Sequence, residues 1–183
     1  MLFKRKYTED SDDRLMEMVA RGNDKAFGEL VTRYQSPVLN LAFRFLGDPQ
    51  EAKDIAQDTF LRVFEAADRY QPTTQFKSFV FRIARNLCVD HIRRKKPVYM
   101  DELPERAGSS DPLSELEREQ LSEALSRALL TLPESQRMAV LLHHFEGLKY
   151  SEIAEVMETS VSAVESLLVR AKRALREKMK PFR

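Results

Sequence analysis

The feature that most constrains this chain is a helix that is oily along one side and ends in a block of charge. In residues 76–97, "FKSFVFRIARNLCVDHIRRKKP", Phe76, Val80, Ile83 and Leu87 recur at helical spacing and fall on one face. The segment closes on Arg93-Arg94-Lys95-Lys96 and is stopped by Pro97. A helix of this kind needs an apolar partner on one side, and its cationic end faces either solvent or a polyanion. Arg82, Asn86 and Arg93 form a second stripe about a quarter turn from the apolar one, with Arg85 beside it and Phe79 at its edge. The preceding loop, "RYQPTTQF", adds Tyr70, Gln71, Thr73, Thr74 and Gln75. Cations that follow a backbone, amides that bond bases and an aromatic margin describe a surface for single-stranded nucleic acid.

The rest of the chain reads as helix too. The 183 residues include only 5 glycines and no tryptophan, and 32% are charged. Helices are expected from "DDRLMEMVARG", stopped at Gly22, and from "KAFGELVTRY", capped by Asn23 or Asp24. Ser36-Pro37 is expected to bend or restart the latter before "VLNLAFRFLG". Asp48-Pro49 and Asp111-Pro112 each pair an N-cap with a proline in the first turn. The predicted fold is all-α: two small helical domains, 1–96 and 112–183, joined by a flexible acidic linker at 97–111, with a helix-turn-helix in the second.

Net charge is only +1, but it is distributed in blocks. Arg69, Lys77, Arg82, Arg85 and the run at 93–96 face a single acid, Asp90, while 97–123 is dominated by Asp and Glu. The C-terminal stretch is basic again, which suggests two basic surfaces around an acidic segment.

The C-terminal half supplies "YSEIAEVMETSVSAVESLLVRA". Ile153, Ala154 and Met157 form the inner side of a short helix, Thr159 or Ser160 caps the next, and Val161, Val164, Leu168, Ala171 and Leu175 are expected to point inward. Ser162, Ser166, Val169, Arg170 and Arg173 lie opposite, with Glu165 near them. Short side chains first and arginines further on suit a major groove, and a glutamate there accepts from cytosine. In "EAKDIAQDTFLRVF", Asp54, Gln57, Asp58 and Leu61 follow i, i+3, i+4, i+7 spacing, a candidate docking face for a basic protein, while Ile55, Ala56, Phe60, Val63 and Phe64 fall toward the other side.

No phosphate-cradling glycine loop, nucleophile–base arrangement or metal-ligand cluster is present, so no catalytic or metal site and no cofactor are expected. His143 and His144 are adjacent on a helix, about 100° apart, and do not share a metal in the i, i+4 manner. The lone Cys88, between Leu87 and Val89, is expected to be buried and inert. The N-terminus has no long apolar run, so neither membrane insertion nor a signal peptide is expected and the location implied is cytoplasmic.

In this order the segments "AFGELVTRYQ", "EAKDIAQDTFLRVF", "FKSFVFRIARNLCVDHIRR" and "LPESQRMAVLLHHFEGLKYSEIAEVM" resemble the extracytoplasmic-function (ECF) sigma factors of bacterial RNA polymerase, over about 14–179. The resemblance implies no enzyme activity of its own but a role in promoter recognition. It implies that Asp54, Gln57, Asp58 and Leu61 dock on the clamp helices of the polymerase's largest subunit, with the β flap as a further contact. Tyr70, Gln71, Thr73, Thr74, Gln75, Phe79, Arg82, Asn86, Arg93 and Arg94 would hold the opened −10 element, Asn86 beside a flipped-out base. Ser162, Glu165, Ser166, Val169, Arg170 and Arg173 would read the duplex −35 element. The acidic linker would run through the polymerase channels, and an anti-sigma factor is an expected partner. Phe79 stands where the family usually has tryptophan, and Glu165 and Leu167 where many relatives are basic. A free-standing helix-turn-helix regulator is the alternative; it leaves the Arg82–Asn86–Arg93 stripe without a role.

Overall fold

The structure, a computed structural model, describes residues 5–95 and 114–180, and these contain helices and turns but no strand. The 97–111 linker and the Asp111-Pro112 cap fall outside the described residues. After a short turn of helix, α1 (Arg5–Thr8), come α2 (Asp12–Ala20), α3 (Asp24–Leu46), α4 (Pro49–Glu65) and α5 (Phe76–Lys95). A 3₁₀ turn, Ala67–Arg69, occupies the start of the expected loop before α5.

The caps follow local chemistry. Asn23 Oδ1 accepts from the amides of Lys25 and Ala26, and Asp48 Oδ1 from those of Gln50 and Glu51, ahead of Pro49. Ser11, which the sequence reading did not single out, caps α2 through the Arg14 amide. The expected restart at Pro37 does not occur: α3 runs unbroken through it. Its proline lies between Leu30 on one side and Val38, Leu41, Ala42 and Phe45 on the other, all buried. Burying each large side chain contributes about 1.5–3 kcal/mol, which together outweighs a proline penalty of about 3 kcal/mol.

The second half comprises α6 (Ser114–Leu130), α7 (Glu134–Val140), α8 (Tyr150–Met157) and α9 (Val161–Lys178). Between α7 and α8 the chain widens into a π-helical segment, Leu141–Phe145, where the Glu146 amide reaches back to Leu141 O. Leu141 and Leu142 are both fully buried, while Phe145 turns out beneath the Arg44 guanidinium at 4.3 Å.

The two halves pack directly on one another, α8 against α5 and α6 against α3, and their buried side chains form a single cluster. Arg137, 9% exposed, fastens this joint. Its guanidinium donates to Phe45 O at 2.5 Å, to Leu130 O at 3.0 Å and to Leu132 O at 3.2 Å. Burial lowers its pKa, partly offset by Glu134. Lys77 Nζ donates to Glu146 O at 2.6 Å in the same seam.

Candidate nucleic-acid interfaces and docking groove

Three surfaces carry side chains that the core does not use. The first is a groove of about 850 Å³ between α3 and α4. Its floor is Phe27, Val31, Leu39 and Phe60, and its lip is Leu61 and Phe64, which are 56% and 47% exposed. Phe27 and Phe64 meet edge to face with centroids 5.1 Å apart. Gln57 lies in the groove wall, and Asp54 and Asp58 stand exposed on the adjoining face of α4.

Phe64 was expected to point inward and does not. Ala52, Ile55, Thr59 and Val63 centre the buried face of α4, and at 100° per residue Phe64 is about 120° round from Ala52, on the groove side. The α3 residues of the groove were not singled out from the sequence. The available signal was the width of the apolar arc: Phe27, Val31 and Leu39 extend α3's apolar surface beyond the stripe that its core needs.

The second surface lies on α5 and the loop before it. Phe76, Val80, Ala84 and Leu87 are buried on one side, and Phe81 and Cys88 are buried further round. Ile83, expected in the core, is half-buried at the margin. Burial pushes the Cys88 thiol up to about 12, which makes it unreactive at neutral pH. The remaining strip brings Phe79, Arg82 and Asn86 together half-buried, with Arg93 and Arg94 exposed beyond them. Asn86 Oδ1 accepts from Arg85 at 2.7 Å, so the amide NH₂ is the group it offers outward. Arg85 in turn lies 3.7 Å from a Glu158 carboxylate oxygen.

Gln71, Thr73 and Gln75 are exposed and Thr74 half-buried, whereas Tyr70 turns inward. The Tyr70 ring meets Phe79 at 5.1 Å and Phe76 at 5.9 Å, both edge to face, and its hydroxyl donates to Asp13 at 2.6 Å. Burial and that carboxylate hold the phenol well above its ordinary pKa.

The third surface is α9. Ser160 caps it by accepting from the Ala163 amide at 3.2 Å. Val164, Leu168 and Ala171 are buried where α9 packs on α7 and α8, and Ile153, Ala154, Val156 and Met157 are buried on α8. Val161, expected inside, is 48% exposed because the first residue of α9 extends past the cover of its partner. Glu158 makes the turn at φ +53°, a left-handed conformation that glycine adopts without strain. Ser162, Glu165, Ser166, Val169, Arg170 and Arg173 are all exposed, Val169 at 64%. A protruding helix with a methyl-bearing side chain, hydroxyls and arginines is equipped for base edges and phosphates.

His143 Nδ1 lies 3.1 Å from Leu148 O, and no cluster suited to a metal ion occurs among the described residues. None of their helices is long and apolar enough to cross a membrane.

Comparison with known proteins identifies the two halves of the chain. The sigma-70 region 2 family matches residues 30–98, and the sigma-70 region 4 family matches residues 122–175. The RNA polymerase sigma-H factor of Pseudomonas aeruginosa is 33% identical over 96% of this chain and 97% of its own length. The ECF RNA polymerase sigma factor SigW of Bacillus subtilis is 30% identical over 90% of this chain and 95% of its own. Among solved structures, CnrH in complex with the cytosolic domain of CnrY is similar with a TM-score of 0.71 and 27% identity, over 94% of this chain and 99% of that one. With relatives of this identity along nearly its whole length, and with both regions in order, the chain belongs to the extracytoplasmic-function sigma factors of bacterial RNA polymerase.

Proposed function

We propose that this sigma factor divides its work among the three surfaces described. The groove between α3 and α4, with Asp54, Gln57, Asp58 and Leu61 on its α4 side, docks on the clamp helices of core polymerase. An apolar trough beside an acidic face fits a helical partner with apolar and basic residues, and a complementary charge speeds the encounter. The loop and strip from Tyr70 to Arg94 hold the single-stranded −10 element. There Arg82 and Arg93 follow the phosphates, Phe79 supplies an aromatic edge, and the Asn86 amide meets an unpaired base. On α9, Ser162, Glu165, Ser166 and Val169 face base edges of the −35 duplex while Arg170 and Arg173 take phosphates.

In this reading residues 1–96 engage polymerase and the −10 element, 112–183 engage the −35 element and the β flap, and 97–111 connect them. The core enzyme supplies the catalysis; this chain supplies promoter choice and strand capture, acting in the cytoplasm where that enzyme works. An anti-sigma factor is the further partner proposed; the neighbour CnrH was itself solved in complex with another protein, the cytosolic domain of CnrY.

The observation that carries this reading is the coexistence, in one ECF chain, of an exposed apolar groove with two separate basic helices. A free-standing regulator would use only α9. The test is run-off transcription by purified core polymerase on a library of DNA fragments, with and without the protein. Protein-dependent transcripts that share upstream motifs are expected, and Asp58→Arg should abolish them together with co-elution on core. Specific duplex binding with no such transcripts would overturn the proposal.

A further inference from the structure

A residue far from α5 in sequence reaches the loop that precedes it. α2 starts with two acids, and each has a separate task. Asp12 accepts from Arg33 at 2.7 Å and from the Tyr34 hydroxyl at 2.5 Å, which fixes α2 on α3. Asp13 is directed the other way, and its carboxylate receives the Tyr70 hydroxyl at 2.6 Å. Tyr70 is the residue at which the chain leaves the 3₁₀ turn, with φ −63° and ψ 127°, to begin the loop that precedes α5.

That loop is held at its two ends more than in its middle. Tyr70 N donates to Ala67 O at the entrance and Phe79 N to Gln75 O at the exit. Inside it one backbone bond is present, from Thr73 N to Gln71 O. The entrance anchor therefore sets where Gln71, Thr73 and Gln75 project. Its ring pose is shared with the strip through a run of edge contacts: Tyr34 on Phe76, Phe76 on Tyr70, and Tyr70 on Phe79. Ring pairs of this kind are directional, so a rotation of the Tyr70 ring is felt at Phe79.

We infer that Asp13 is a positioning residue for the −10 surface, acting through the Tyr70 hydroxyl to fix the Tyr70–Phe79 edge and the entry of the 71–75 loop. The inference rests on the −10 assignment proposed above. Without the carboxylate a half-buried hydroxyl loses its acceptor and turns toward water, taking the ring off Phe79. The groove between α3 and α4 shares no residue with this contact, so polymerase docking is left alone. The raised phenol pKa accords with this arrangement, since the hydroxyl stays a donor throughout the neutral range.

The experiment compares wild type, Asp13→Ala, Asp13→Asn, Tyr70→Phe and the Asp13→Ala/Tyr70→Phe double variant, each reconstituted with core polymerase on promoters varied at every −10 position. Base discrimination should fall about tenfold or more in Asp13→Ala and in Tyr70→Phe, the loss of one charge-assisted hydrogen bond. The double variant should be no worse than the poorer single one. Asp13→Asn keeps an acceptor oxygen and should stay within about twofold of wild type. Co-elution with core should be unchanged in all of them.

Unchanged discrimination with only a lower melting temperature would reduce Asp13 to a fastening of α2 and overturn the inference, as would additive losses in the double variant. Should Asp13→Ala fail to fold, Tyr70→Phe tests the same bond from the other side. Ultraviolet phenol titration needs no polymerase: burial and a carboxylate partner make two phenols, Tyr34 and Tyr70, titrate late in wild type, and one of the two should titrate earlier in Asp13→Asn and be absent from Tyr70→Phe. A wild type that starts no transcripts while showing that phenol shift would sink the −10 assignment and leave the contact standing; no phenol shift would sink the contact itself.

Discussion

The two basic helices, α5 and α9, are built in opposite ways. On α5 the polar strip is what remains after most of the helix has been buried. Arg82 and Asn86 are half-covered, and Arg85 is tied to Asn86 and set near Glu158. On α9 the corresponding face stands clear. Arg173 has no ion-pair partner among the described residues, and Arg170 only curls back to Ser166 O at 3.1 Å. The difference suits the two kinds of nucleic acid proposed for these helices. An unpaired strand is floppy, so its receptor must supply the shape, and a strip seated in a rigid core does so. A duplex already has a groove, so its reader needs a protruding helix with free side chains. The contrast implies that on α5 function and folding are hard to separate, while on α9 they come apart.

The largest test of this contrast removes the side chain that seats the two halves on each other. Arg137→Ala leaves the carbonyls of Phe45, Leu130 and Leu132 without their donor in a buried site. A loss of about 3 kcal/mol is expected in urea unfolding. Arg137→Lys should restore little of it, because an ammonium lacks the planar fork that reaches separate acceptors. A loss below about 1 kcal/mol would mean that α5 does not depend on the joint.

A matched pair of arginines sharpens the contrast next. Arg173→Ala should weaken binding to −35 duplex and reduce its salt dependence by about one unit of slope, with stability unchanged to within about 0.5 kcal/mol. Arg82→Ala should leave duplex binding alone, reduce promoter opening, and also lower stability, since its half-covered stem packs as well as carrying charge. Equal stability effects at the two sites, measured by thermal melts, would erase the distinction.

How much of this was legible in the sequence follows the same division. α9 was read almost side chain by side chain, because a free helix obeys its own periodicity; Val161 is the exception, at the one position where the end of a partner decides burial. α5 was read less completely. Its strip and the burial of Cys88 could be placed from the sequence, but Ile83, expected in the core, lies half-buried at its margin. The α3–α4 groove was half legible, since α4's stripe was visible while Phe27, Val31 and Leu39 have no spacing that separates them from core residues. The Asp13–Tyr70 bond spans 57 residues and has no local signature at all. The π-helical segment was likewise invisible, because it depends on placing Leu141 and Leu142 both inside.

The seam between the halves gives a pH test. Burial raises the Glu146 pKa, and Lys77 and Arg44 only partly oppose this. The folded state therefore holds this proton more tightly than the unfolded chain does. Ionisation costs stability as pH rises through the ordinary carboxylate range toward the folded value, and the cost persists above it. Glu146→Gln should remove that decline, so its melting temperature should gain on wild type from about pH 4 upward. An identical pH profile in the two proteins would mean that the carboxylate is solvated and the seam looser than described.

The smallest effect is expected where the two helices meet through Glu158, which forms the turn before α9 and faces Arg85 on α5. Two opposing terms act there. A non-glycine residue at φ +53° is strained, and glycine relieves this by about 0.5–1 kcal/mol. Against it stands the Arg85 contact, 3.7 Å long with the glutamate side chain 60% exposed, and ion pairs of that kind are weak. Glu158→Gly should therefore stabilise the protein by about 0.5 kcal/mol in urea unfolding. It should also release Arg85 to single-stranded −10 DNA, strengthening binding there without altering −35 duplex affinity. A destabilised variant would show instead that Glu158 is kept for its pairing, and that α5 borrows part of its rigidity from the turn that presents α9.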